Sequence, residues 1–298
     1  MQKLLAKLRG TGVAIVTPFT KAGAIDFPAH GRLIEYLIAG KVEYIVLLGT
    51  TGESATIPKP ERKALVDFTV EKIRRRIPLV LGVGGNSTAD VVLAIHGTQF
   101  KGIDAILSVC PYYNKPQQEG IFRHFRTIAE ASPVPVILYT VPGRTGSNIN
   151  AATTLRLARE VKNIIGIKEA SGSFDQIFQV LKHRPKDFLV ISGDDGLTLP
   201  MLSAGADGVI SVVANVCPKE FSQMVRLALR GDFEKARKIH FRLIDLINAL
   251  FADGSPAGIK AALEIRKISG NFLRLPLVPV RKDIYNLIKA QLQKIEKI

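Results

Sequence analysis

Eight short apolar runs spread through the first 215 residues constrain the fold of this chain more than any other feature. They are VAIVTPF (13–19), YIVLLG (44–49), LVLGVG (79–84), AILSVCP (105–111), VILYTV (136–141), IIGIKEA (164–170), FLVISGDD (188–195) and GVISVVAN (208–215). Each is rich in Val, Ile and Leu and lacks the alternation of a half-exposed strand, as expected where both faces of a parallel strand are covered. Helical patterns such as HGRLIEYLIAG, PERKALVDFTVEKIRRR, TADVVLAIHGTQF, EGIFRHFRTIAEA and NAATTLRLAREV separate them. The interval between 195 and 208 holds only LTLPMLSAGA and predicts the weakest helix. Repeated strand–helix alternation implies right-handed βαβ units. Eight such units in about 200 residues fit one closed barrel better than an open sheet. Beyond Val216 the segments PKEFSQMVRLALRGDFEKARKIHFRLIDLINALF and AGIKAALEIRKI are helical, RLPLVPV is a loop, and a last helix starts near Arg281. The expected fold is therefore α/β: a (β/α)8 TIM barrel over 1–215 and a helical C-terminal extension over 216–298, with no low-complexity linker between them.

Composition narrows the function classes. The apolar runs are too short to span a membrane, and the basic, amphipathic start MQKLLAKLRG lacks the h-region of a secretory signal and predicts a short helix or strap. Two cysteines, Cys110 and Cys217, stand far apart without a CxxC pattern, which fits a reducing cytoplasm and no disulfide framework. Lys and Arg number 41 against 26 Asp and Glu, a net charge of +15, and roughly half of that excess lies beyond Val216. The basic residues are spread singly, there is no Trp, and no RNP-like run or zinc-finger spacing occurs. A surface that attracts small anions is expected, not a nucleic-acid partner. The five histidines lie in or beside helical patterns without HxH or HExxH pairing, so no metal centre is expected. The glycine-rich GVGGN (82–86) lacks the lysine and spacing of a P-loop and reads as a tight turn.

In such barrels the side chains at the C-terminal ends of the strands face the active-site mouth. Lys168 stands near the end of the sixth run. A buried lysine there either pairs with Glu169 or another carboxylate, or snorkels outward, or serves as a desolvated amine nucleophilic towards carbonyls. In that last case a Schiff base acts as an electron sink, and neither metal nor bound cofactor is required. LLGTTGESA ends the second strand; it is either a turn with a helix N-cap or a cradle in which Thr50 and Thr51 bind a carboxylate or relay protons. LYTVPGRTG ends the fifth: Tyr139 is a core phenol or a general acid and base, and Arg144 a surface residue or a carboxylate clamp. CPYYNKP, with its two aromatics, suggests packing or a subunit interface. SGDDG after the seventh strand has the acids for a metal but no companion His or Glu cluster. All of these motifs fall at the same end of the barrel.

GTTGES, PYYNKP, YTVPGRTG, GIKEASG, SGDD and GVISVVAN, in this order, resemble the dihydrodipicolinate synthase family, from about residue 10 to the C-terminal helices. GxTGE and the strand-6 lysine are shared by the wider pyruvate-dependent aldolases. The resemblance implies condensation of pyruvate with L-aspartate 4-semialdehyde on the route to diaminopimelate and lysine, in the cytoplasm and without a cofactor. It implies that Lys168 forms the Schiff base as a neutral amine and that Tyr139 moves protons beside it. Thr50 and Tyr113 complete a relay, the latter reaching in from a neighbouring subunit. Thr51 and Ile210 hold pyruvate, Arg144 binds the semialdehyde carboxylate, and Gly193 lines the pocket. A homo-oligomer follows from the shared tyrosine, usually a tetramer built from two dimers. A second reading is another aldolase of the superfamily, such as N-acetylneuraminate lyase or a 2-keto-3-deoxy-sugar-acid aldolase; the Thr pair, the PYY tyrosine and the arginine favour the first.

The chain departs from the family pattern in places. Thr140 and Ser255–Pro256 replace an Asn and an Asn-Pro. At the interface where lysine-inhibited relatives bind lysine, this chain has Lys59, Arg62 and Asp90 in place of a histidine-rich set and a Glu, with Ser54 nearby and Asn86 and Tyr112 kept. Two added cations there imply weak or absent lysine inhibition.

Overall fold

The computed structural model describes residues 1–296, so positions 297 and 298 of the segment assigned to the extension lie outside the described residues. Eight parallel strands, β1 (Gly10–Ala14), β2 (Tyr44–Leu47), β3 (Leu79–Gly82), β4 (Ala105–Val109), β5 (Val136–Thr140), β6 (Ile164–Glu169), β7 (Leu189–Ser192) and β8 (Gly208–Ser211), pair in sequence order and close into a barrel through β1 and β8. Thirteen α-helices are described: α1 (Gln2–Lys7), α2 (Phe27–Ala39), α3 (Lys59–Ile73), α4 (Thr88–His96), α5 (Gln118–Ala131), α6 (Pro142–Thr145), α7 (Ala151–Glu160), α8 (Phe174–His183), α9 (Thr198–Ser203), α10 (Pro218–Leu229), α11 (Phe233–Phe251), α12 (Ala257–Ile265) and α13 (Lys282–Glu296). The expected barrel and helical extension are both present, and the helix from the short 195–208 interval spans only six residues.

Local chemistry starts and stops these helices. In α2 the Asp26 carboxylate accepts the Ala29 N–H at 2.9 Å, Pro28 occupies the first turn, and Gly40 follows the end. Its buried Leu33, Ile34 and Leu37 recur at helical spacing and face the sheet. In α5 the same spacing buries Ile121, Phe122, Phe125 and Ile128.

Two apolar layers result. An outer layer fills the space between strands and helices, while Tyr44, Val46, Val80, Leu107, Ile137, Ile191 and Ile210 fill the barrel's interior. Leu5 of α1 and Leu8 join the interior layer, so the amphipathic start of the chain closes the barrel at its N-terminal end. Helix α10 packs on β1, β8, α2 and α9 and takes the eighth place in the helical ring; α11, α12 and α13 pack on one another beyond it.

One irregularity matters for the site. Val136 pairs with Ile164 but Ile137 pairs with Gly166, so β6 carries one extra residue. That bulge changes the in–out phase: Ile165 belongs to the interior layer, Ile167 to the outer one, and Lys168 faces inwards opposite Tyr139.

Candidate active site

A cavity of about 710 Å³ opens at the C-terminal ends of the strands, a volume typical of small-molecule sites. Lys168, Tyr139, Thr50 and Arg144 lie in its wall, with Ser54, Lys59, Arg62 and Tyr112 further out. Lys168 and Tyr139 are register partners on β6 and β5, which sets their side chains on the same face. The Lys168 Nζ stands 4.2 Å from the centre of the Tyr139 ring, and both residues are buried.

The pairing of Lys168 with Glu169 considered from sequence does not occur. Glu169 points to the other face, where its carboxylate accepts the Ser171 N–H at 2.7 Å and the Gln176 amide at 2.8 Å. Burial pushes the Glu169 carboxyl up, partly offset by these donors. Gln176 in turn accepts from Asn148, whose Oδ1 accepts the Thr140 hydroxyl at 2.8 Å. Thr140, a departure from the family pattern, thus belongs to the polar network behind the lysine.

Gly193 stands against the lysine stem. Its N–H donates to Glu169 O at 2.7 Å, and a Cβ added there would fall 2.6 Å from Ala170 Cβ and 3.1 Å from Lys168 Cε. The following acids are structural. Asp195 Oδ2 accepts the Val212 and Val213 N–H groups at 3.0 and 2.7 Å, tying the β7 loop to the β8 loop. Burial pushes its carboxyl up to about 6. Among the described residues no three His, Cys, Asp or Glu side chains form a metal-binding group.

Thr50 and Thr51 lie in a single 3-10 turn, Thr50–Gly52, directly after β2. Leu48 (φ 56°) and Glu53 (φ 54°) on either side are both left-handed, and the Thr17 hydroxyl donates to Gly52 O at 2.7 Å. Thr50 is exposed to the cavity, whereas Thr51 is buried and outside its wall. Arg144 rides on the one-turn helix α6, and its guanidinium reaches Ser255 O at 3.4 Å across the mouth. Ile210 is buried in the barrel interior. Tyr113 is 87% exposed at φ 79° and lies outside the cavity wall, so within one chain it does not meet Tyr139. Asn86 and Asp90 are exposed at the start of α4, also outside the wall.

Sequence reasoning missed Glu53 as a cavity-wall residue, and with it the buried Lys260 and the half-buried Arg274 that hold it. The available signal was the lone lysine in the otherwise apolar AGIKAAL.

The sequence matches the model of the dihydrodipicolinate synthetase family over residues 7–295. It is 50% identical to the 4-hydroxy-tetrahydrodipicolinate synthase of Parabacteroides distasonis over 288 residues, covering 97% of each chain. Among solved structures it resembles a monomeric dihydrodipicolinate synthase variant (39% identity, TM-score 0.96, 99% of each chain). It also resembles the lysine-bound enzyme of Cyanidioschyzon merolae (36% identity, TM-score 0.94, 98% of this chain and 99% of that one).

Proposed function

The chain belongs to the dihydrodipicolinate synthetase family, and from that membership we infer that it is a 4-hydroxy-tetrahydrodipicolinate synthase. It condenses pyruvate with L-aspartate 4-semialdehyde through a Schiff base, a step towards diaminopimelate and lysine. The sugar-acid and sialic-acid aldolase readings are not favoured, because the similar proteins carry the synthase name. The observation that carries the chemistry is a buried lysine amine set against a tyrosine ring at the base of the cavity.

In this reading the Lys168 amine adds to C2 of pyruvate and water leaves, giving an imine. The imine nitrogen accepts electrons as a proton leaves C3, and the resulting enamine carbon attacks the semialdehyde's carbonyl carbon. The new alkoxide takes a proton. The semialdehyde's amino group then adds to C2, closes the ring and releases Lys168. These steps balance without an external oxidant or reductant.

Tyr139 is the proton donor and acceptor, a role supported by its register pairing with Lys168. Thr50 extends the relay from the turn after β2. Thr51 and Ile210 hold pyruvate partly through backbone groups, and Gly193 leaves room for the lysine stem. Arg144 takes the semialdehyde carboxylate at the mouth, supported by its exposure beside the cavity. Tyr113 completes the relay of a neighbouring subunit in a homo-oligomer, a tetramer built from two dimers. Its 87% exposure and left-handed backbone support that role, since a bulky residue in this conformation is held there at a cost. A cytoplasmic location is supported by two buried cysteines that remain free thiols, and no described helix is long and apolar enough to cross a membrane.

The test is pyruvate consumption by the purified protein with and without L-aspartate 4-semialdehyde. Consumption should require the semialdehyde and vanish in Lys168→Ala, and borohydride should trap pyruvate on the native protein alone. Semialdehyde-independent turnover, or trapping that survives Lys168→Ala, would overturn the assignment.

A further inference from the structure

The turn that carries Thr50 and Thr51 is bracketed by two left-handed residues, Leu48 and Glu53. Neither is glycine, so this backbone persists only because its surroundings fix it. Glu53 shows what does so. Its side chain is fully buried; Oε1 contacts the ammonium of Lys260, also fully buried, and Oε2 accepts the Arg274 N–H at 3.1 Å.

Both partners come from the C-terminal extension, some 200 residues away in sequence. Lys260 is itself held in place: Nζ donates to Phe272 O at 2.8 Å and lies 4.1 Å from the centre of the Phe19 ring. The Arg274 guanidinium stacks over the same ring and donates to Thr56 O at 3.0 Å, just beyond the turn. Burial draws the Lys260 ammonium down to about 8, and the Glu53 charge opposes that fall. A carboxylate in the wall of the cavity is therefore committed to a cation that lies outside that wall.

We propose that Lys260 is a positioning residue for the reaction: through its buried pair with Glu53 it fixes the turn after β2 and thereby the Thr50 hydroxyl at the cavity. The extension is then part of the catalytic apparatus, although it supplies no group to the substrate through this contact. The proposal rests on the synthase reading for the role of Thr50. It does not depend on which aldehyde is the second substrate.

A double-mutant cycle tests it. In the native protein Thr50→Val should lower kcat/KM by about a hundredfold, in the range for loss of a proton-relay group. Lys260→Met should cost about tenfold or more while the protein remains folded by circular dichroism. In the Lys260→Met background, Thr50→Val should bring the total loss only to about the hundredfold of Thr50→Val alone, because the hydroxyl is already misplaced. Native turnover in Lys260→Met, or penalties that multiply, would overturn the proposal. If Lys260→Met does not fold, Glu53→Gln, which keeps the shape and removes the charge, enters the cycle with the same expected readings.

Lack of semialdehyde-dependent turnover in the native protein would instead sink the synthase reading. The cycle is then read on the rate at which borohydride traps pyruvate on Lys168. Additive effects there, or no trapping at all, overturn the positioning role.

Discussion

Lys168 and Lys260 are both buried, and their surroundings divide their work. Lys260 is committed to Glu53 and a backbone carbonyl, so removing either ionic partner leaves an uncompensated charge, at a cost of roughly 3–5 kcal/mol. Lys168 has its neighbouring carboxylate turned away and an aromatic face beside its amine, which leaves the nitrogen open to the cavity. That openness depends on Gly193. The glycine is needed for space and not for conformation, since an added Cβ would press on Ala170 Cβ and on the lysine Cε. Gly193→Ala should therefore misplace the amine. An error of about 1 Å at a reacting atom costs on the order of a hundredfold. We expect kcat/KM for pyruvate and the rate of borohydride trapping to fall together by about that factor. The overpacking itself destabilises by about 1–3 kcal/mol. Trapping at the native rate in a folded Gly193→Ala protein would contradict this account of the glycine.

At the scale of elements, the loops beyond the strands are held by buried carboxylates that resemble catalytic ones in sequence. Asp195 joins the β7 and β8 loops through two backbone N–H groups, and its carboxyl rises from 3.8 to about 6 because burial outweighs those donors. An acid whose folded value is raised keeps its proton in the folded state while the unfolded chain has lost it. Its ionisation therefore subtracts stability as pH climbs from about 4 to 6, and the penalty is constant above that range. Asp195→Asn removes the penalty and keeps an acceptor. Its stability relative to the native protein should improve by about 2 kcal/mol between pH 4.5 and 7.5, measured by urea unfolding at both values. A relative stability that does not change with pH would show that the carboxylate is not the group responsible. The strands themselves were legible because apolar runs of the right length leave few other folds. The bulge in β6 was not: nothing in IIGIKEA marks Ile165 as the extra residue that turns Lys168 inwards. Nor did GTTGES reveal that its Glu takes a left-handed backbone and a partner from the extension, because that contact joins residues 53 and 260.

Over the whole molecule, the net charge of +15 acquires a local meaning at the cavity. Most of the proposed site residues were legible because they follow strand ends. Tyr113 shows the limit: its motif was recognisable, but one chain leaves it exposed and away from Tyr139. The same face bears on regulation. The lysine-bound relative from Cyanidioschyzon merolae shows that a protein of this fold can take lysine, and the resemblance assigns that ligand to the interface around Ser54, Asn86 and Tyr112. In this chain Lys59 and Arg62 stand in the outer cavity wall. The Arg62 guanidinium is fixed by donation to Ile57 O at 2.7 Å and Ser54 O at 2.8 Å, so it cannot readily swing away. The nearby Asp67 is already paired with Lys63 at 2.6 Å. An incoming ammonium meets like charges, each opposing it by about 1 kcal/mol at 4 Å in water and about 4 kcal/mol at an effective permittivity near 20. Turnover should therefore be nearly unchanged by sub-millimolar lysine, and the double substitution Lys59→Gln with Arg62→Gln should increase sensitivity. Half-inhibition of the native enzyme in that range would show that the cations do not exclude lysine.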